Sequence, residues 1–229
     1  MQCDCSGTIA DRIEAIRATL PQGVGLVAVS KFHPAEAIRE ALAAGQKLFG
    51  ESRVQELQKK VAELAGEDIC WHFIGHLQTN KVRPLLRLRP ALIESVDSLH
   101  LLETIDNEAA AQGFVQRVLL QVHVAQEETK FGFTPEEMLA YFESRSFEKL
   151  RATHICGIMG MASNTDDTER IKADFRTIRA LFDRIVALCP DLRGFDTVSM
   201  GMSHDYKLAV ECGSTLVRVG TAIFGERVY

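Results

Sequence analysis

The sequence predicts an α/β chain folded as one (β/α)8 barrel, and three observations predict it. Short, continuous apolar runs alternate with amphipathic stretches, the pattern of a parallel sheet joined by crossover helices rather than of hairpins. The runs number eight, each followed by a helical stretch. A barrel of this kind takes about 250 residues, so a chain of 229 leaves almost nothing for a second domain.

The elements follow in order. A helix over 8–20 precedes the first strand and either closes the bottom of the barrel or flanks it. Strands are predicted over 26–30, 47–50, 71–75, 92–96, 118–124, 156–161, 197–200 and 216–219. Pro34 opens the helix 35–44, because its fixed φ suits the first turn and its missing N–H would have no partner there, and Gly45 stops it. The polar stretch from Gln78 to Arg83 reads as a helix start. Asp166, with Glu169 three residues on, begins the helix that runs to Cys189. On that helix Phe175, Ile178, Phe182, Ile185, Val186 and Cys189 recur at helical spacing and form a core-facing stripe. No Pro-, Gly- or Ser-rich linker divides the chain, which reads as one domain over 1–229 with the barrel core at about 24–227.

Composition narrows the function. The chain is 46% apolar and 25% charged, with a net charge of −5 and no basic block, so it offers no electrostatic footprint for nucleic acid or an anionic membrane. The first residues lack the basic segment and apolar core of a signal peptide, and no apolar run reaches membrane-spanning length. A cytoplasmic protein is expected. The six cysteines are scattered rather than spaced as a disulfide framework, which suits small buried hydrophobes. Cys3 and Cys5 supply only two of the about four ligands a soft metal needs.

Barrels of this type carry their sites where the strands end at their C-terminal face. The residues just past the predicted strands are Lys31, Glu51, Ser52, His76, Asp97, Met161 to Ser163, Ser199 to Ser203, Gly220 and Thr221. Two of these positions carry chemistry. Lys31 ends the apolar run Leu26-Val27-Ala28-Val29-Ser30-Lys31, so its amine stands at the mouth of a buried strand, where partial desolvation favours condensation with an aldehyde. In Arg218-Val219-Gly220-Thr221-Ala222, Gly220 lets the backbone approach a phosphate, Thr221 adds a hydroxyl and an amide, and Ser199 on the neighbouring strand adds a second hydroxyl. Arg218, two residues before Gly220, points to the same face. An amine beside a phosphate cradle suggests a phosphorylated aldehyde.

The segments Ala28-Val29-Ser30-Lys31, Phe49-Gly50-Glu51-Ser52-Arg53-Val54-Gln55-Glu56, Trp71-His72-Phe73-Ile74-Gly75-His76-Leu77-Gln78-Thr79-Asn80-Lys81 and Ser199-Met200-Gly201-Met202-Ser203-His204-Asp205 resemble the pyridoxal phosphate homeostasis proteins, also called YggS or PROSC. The likeness extends to the stretch from Arg218 to Gly225, and runs in order from about residue 26 to 227. It implies a barrel of the alanine racemase N-terminal type, a fold type III protein. Pyridoxal 5'-phosphate would be held as a Schiff base on Lys31, its phosphate by Ser199, Gly220 and Thr221, with Arg218 facing the pyridine nitrogen. One position departs: the family reads Phe-Gly-Glu-Asn where this chain has Ser52, whose shorter side chain reaches less far.

A permanently charged arginine opposite the pyridine nitrogen disfavours its protonation and weakens the ring as an electron sink. Racemases of this fold also take a tyrosine from a second domain. Here Tyr141, Tyr206 and Tyr229 are the three tyrosines, and Tyr206 falls inside the helix after the seventh strand. A carrier and supplier of the cofactor, taking part in vitamin B6 homeostasis as a monomer and handing it to apo-enzymes, is therefore expected rather than an enzyme. The rivals are a weak amino-acid racemase using Lys31 as one base, and a Schiff-base aldolase, which leaves Arg218 unexplained. His72 and His76 invite a zinc reading, but four residues apart across a strand and its loop they share no helix face. His72 is expected to be a hydrogen-bonded core residue and His76 to approach the mouth.

Overall fold

The computed structural model describes residues 7–124 and 131–226. Eight parallel strands close into a barrel in sequential order, the last pairing with the first. Among the described residues the elements run α1 (Ile9–Thr19), β1 (Gly25–Val29), α2 (Ala35–Ala43), β2 (Leu48–Glu51), α3 (Val54–Glu63), β3 (Cys70–Phe73), α4 (Val82–Arg87), β4 (Leu92–Val96), α5 (Leu99–Ala111) and β5 (Gln116–Val122). They continue with α6 (Pro135–Glu143), β6 (Thr153–Gly160), α7 (Thr168–Leu188), β7 (Thr197–Ser199), α8 (Tyr206–Glu211), β8 (Leu216–Val219) and α9 (Thr221–Phe224). The strand edges predicted from the sequence lie within two residues of these, apart from the first end of β6, which begins three earlier.

Alternation along each strand separates two cores. One side chain set, including Phe49, Trp71, Phe73, Ile93, Val118 and Val198, packs outward under the helices in a single large cluster. The other set, Val27, Leu92, Leu119, Cys156, Met159 and Leu216, fills the lumen. Both faces of every strand are covered, which is why the strands read as unbroken apolar runs.

The helix signals have visible causes. Thr8 caps α1 in a reciprocal box with Asp11, and Thr134 caps α6 in the same way with Glu137, Pro135 standing first in the helix. α1 flanks the barrel rather than closing its bottom: it packs beside α2 and α9, burying Ile13 and Ile16 and sending Arg12 to the Ile223 carbonyl. α7 is capped by Asp167, one residue later than expected. Phe175, Ile178, Phe182, Ile185 and Cys189 are buried, whereas Val186 is 42% exposed. It lies about 100° round the helix from Ile185, and Ile171 and Leu181 complete the buried face instead. Pro34 stands just before the first turn of α2 rather than within it. The stretch after Gln78 begins with a 3-10 turn, Thr79–Lys81, before α4.

Candidate active site at the C-terminal mouth

Lys31 stands two residues past the end of β1 and is half-buried. The same parity that points Val27 into the lumen carries Val29 and Lys31 toward the mouth. Phe32, next along, has φ 68°, a left-handed conformation costly for a residue with a Cβ. The guanidinium of Arg53 lies 4.9 Å from the centre of its ring, and the neighbouring His33 ring stacks on Phe224 of α9 at 5.1 Å.

The donor cluster stands on the adjoining strand. Ala28 pairs with Val219, so Gly220 continues β8 beside the end of β1. A Cβ on Gly220 would sit 3.2 Å from the Val29 carbonyl oxygen, and the absence of one allows the two backbones this approach. The Ser203 hydroxyl oxygen accepts from the Gly220 amide at 3.1 Å and the Ala222 amide at 3.4 Å, and lies 3.2 Å from the Thr221 hydroxyl. Two amides and two hydroxyls thus converge one strand away from Lys31, a donor set suited to a phosphate.

Ser199 is placed apart from this Ser203 cluster. It is fully buried in the lumen, where its hydroxyl donates to Glu94 Oε2 at 2.6 Å and accepts from Arg218 Nη1 at 2.5 Å. Strand alternation turns its side chain into the barrel below the loop, while the chain after β7 turns back at Gly201 and brings Ser203 to the cradle. Sequence reasoning quoted Ser203 in its motif but gave it no role; two serines four residues apart near one strand end look alike without the turn.

Arg218, 4% exposed, donates to Gly160 O at 3.2 Å as well as to Ser199, with Glu94 at 3.7 Å. Burial lowers its pKa, opposed by the charges of Glu94 and Asp205. On the far side Glu94 Oε1 meets His72 Nδ1 at 2.7 Å, so His72 is a bonded core residue, as expected. Burial alone would raise the Glu94 carboxyl, but the His72 hydrogen bond, the His72 and Arg218 charges and the Ser199 hydroxyl together carry it below its ordinary value. His72, Glu94, Ser199 and Arg218 form one chain across the upper lumen.

His76 stands at the rim, bonded to Asp97 at 2.9 Å and stacked on Phe131 with ring centres 4.0 Å apart. Ser52 contributes through its backbone: a Cβ on Gly75 would lie 2.1 Å from the Ser52 carbonyl oxygen, so the ends of β2 and β3 touch only because Gly75 has none. Tyr206, first residue of α8, contacts Thr19 of α1 at 3.1 Å, and Tyr141 is buried on α6. Tyr229 and the Cys3/Cys5 pair lie outside the described residues. A surface cleft of about 440 Å³ at the opposite rim, lined by Arg17 and Gln46, touches none of these groups.

The family model for the N-terminal domain of alanine racemase matches residues 6–228. The pyridoxal phosphate homeostasis protein of Aquifex aeolicus is 39% identical over 235 residues, 99% of each chain. The chain belongs to the alanine racemase N-terminal domain family, among the pyridoxal phosphate homeostasis proteins. Members of known structure include PipY of Synechococcus elongatus, solved with PLP bound, which is 40% identical with a TM-score of 0.88 over 95% of this chain and all of that one. Alanine racemase of Clostridium difficile, 13% identical with a TM-score of 0.74, shares the fold, and this chain spans 56% of its length.

Proposed function

We propose that this chain is a carrier of pyridoxal 5'-phosphate, which it holds as a Schiff base on Lys31 and supplies within the cell, without catalytic turnover. The observation that carries the reading is that Lys31 stands past the end of β1 beside β8, the strand that leads Gly220, Thr221 and Ala222 to the Ser203 hydroxyl, with Arg218 lower on β8 in the lumen. These residues fit the group: an amine for an aldehyde, a four-donor cradle for a phosphate and a cation below for the ring. Pyridoxal phosphate, when bound, supplies an aldehyde that an amine captures reversibly with loss of one water.

The remaining work belongs to the chain. Gly220 and the Ser203 hydroxyl orient and hold the phosphate. Arg218, fixed by Ser199, Gly160 O and Glu94, presents a cation that keeps a proton off the ring nitrogen. That favours storage over carbanion chemistry. Tyr206 and Tyr141, engaged elsewhere, supply no second base. In this reading the protein is a cytoplasmic monomer whose recipients are apo-enzymes, reached through the half-buried Lys31.

The test is an absorption titration of wild type and Lys31→Ala with pyridoxal phosphate, followed by a racemisation assay and by transfer to an apo-enzyme. The proposal expects a violet-edge band in wild type alone, restored activity in the apo-enzyme and no racemisation. Turnover of an amino acid would move the protein to the racemases, and absence of the band would overturn the cofactor assignment.

A further inference from the structure

We propose that Lys60, with Glu51 and Glu56, is a positioning cluster that holds both peptide groups flanking Lys31, so that these three residues set how readily that amine reacts. The inference rests on the reading of Lys31 as the cofactor's anchor.

Lys60 lies on α3, outside the barrel, and is buried. Its ammonium has three N–H donors, and three acceptors meet them: Ser30 O at 2.8 Å, Glu51 Oε1 at 2.7 Å and Glu56 Oε1 at 2.7 Å. Ser30 O belongs to the peptide before Lys31. The peptide after it is held as well, because the Phe32 amide donates to the same Glu56 oxygen at 2.5 Å. The Ser30 hydroxyl completes the set, donating to Glu51 Oε1 at 2.6 Å.

One ammonium therefore links the carbonyl on one side of Lys31 to the carboxylate that holds the amide on the other. The left-handed φ of Phe32, 68°, persists against its steric cost where surrounding bonds over-determine it. Stability alone is a weak reason for such a cluster, since an apolar filling of the same space is commonly as stable. Glu51 Oε2 is moreover buried without a hydrogen-bond partner, and burial raises its carboxyl despite Lys60 and Ser30. What the cluster does that an apolar filling would not is fix the backbone at Lys31.

The experiment uses the full chain as wild type, Lys60→Met, Glu56→Leu and Glu56→Gln, each checked for folding by circular dichroism. Glu56→Gln keeps a side-chain oxygen for the Phe32 amide and for Lys60; Glu56→Leu does not. Two readouts are taken: the rate at which the absorption band grows with pyridoxal phosphate, and, without cofactor, the rate and pH profile of Lys31 acetylation by an N-hydroxysuccinimide ester, read by peptide mass spectrometry. Glu56→Leu is expected to slow both by about tenfold, as small misplacements of reacting groups do, with Glu56→Gln close to wild type.

Unchanged Lys31 reactivity in folded Glu56→Leu and Lys60→Met would overturn the proposal, as would equal losses in Glu56→Gln and Glu56→Leu. Should Lys60→Met not fold, the Glu56 pair decides alone. A wild type that shows no band but loses Lys31 acetylation on Glu56→Leu refutes the cofactor reading and keeps the cluster.

Discussion

The lower and upper halves of the barrel lumen are equally buried and filled in opposite ways. Below, Val27, Leu92, Leu119, Cys156 and Leu216 interdigitate as an ordinary apolar core. Above, two residues further along the same strands, Glu94 follows Leu92 and Arg218 follows Leu216, joined by His72 and Ser199. Burying ions is rarely the best route to stability. The polar half lies under the strand ends that carry Lys31 and Gly220, and the difference teaches that function, not folding, chose its residues.

The sharpest way to break this comparison is Glu94→Leu. It leaves His72 and Ser199 without their shared hydrogen-bond partner and Arg218 without its buried counter-charge, and a loss of about 3–5 kcal/mol is expected, measurable by urea unfolding. A loss under about 1 kcal/mol, the scale of an exposed pair, would mean the network is loosely held. In the lower half, Leu119→Ala is expected to cost about 2–5 kcal/mol through the cavity it opens while leaving cofactor affinity unchanged in a spectroscopic titration. Weakened binding in that variant would show that the halves are not separable.

Acid sharpens the contrast. The folded Glu94 carboxyl lies below its ordinary 4.5, so its stabilising contribution is present above that pH and is lost as pH falls through the lower folded value. Glu51 and Asp205, raised by burial, work in the opposite sense: their contribution is present in acid and lost as pH rises through the folded values. The difference in urea stability between wild type and Glu94→Leu isolates the first effect and is expected to shrink below pH 4.5, whereas the difference for Leu119→Ala stays flat.

The smallest effect on stability belongs to Ser203→Ala, expected to cost less than about 1 kcal/mol at a half-buried hydroxyl. It should weaken pyridoxal phosphate about tenfold, roughly the worth of one hydrogen bond to a charged group, and leave phosphate-free pyridoxal unaffected. Equal weakening of both ligands, read by the same titration, would remove the phosphate from the cradle.

The barrel was legible because burial on both faces writes each strand as an apolar run, and because Thr8 and Gly45 mark helix ends through local bonding. Lys31, Arg218, Gly220 and Thr221 were legible as strand-end residues. Val186 was misjudged because helical spacing alone leaves the edge of a buried stripe undefined by one position. Ser203 was passed over because the turn at Gly201 that carries it to the cradle has no apolar pattern. The bonds of Lys60 were hidden for another reason: Glu56 and Lys60 stand four apart on α3, a spacing common to helical pairs, and only the packing of α3 against the end of β1 brings Ser30 O to the same ammonium.

The central claim is that Lys31 is the residue that captures the aldehyde. Borohydride reduction of the wild-type protein with pyridoxal phosphate, followed by peptide mass spectrometry, tests it directly. The account predicts the added mass on the Lys31 peptide at one equivalent per chain; the same mass on Lys60, Lys207 or spread over several lysines would contradict it.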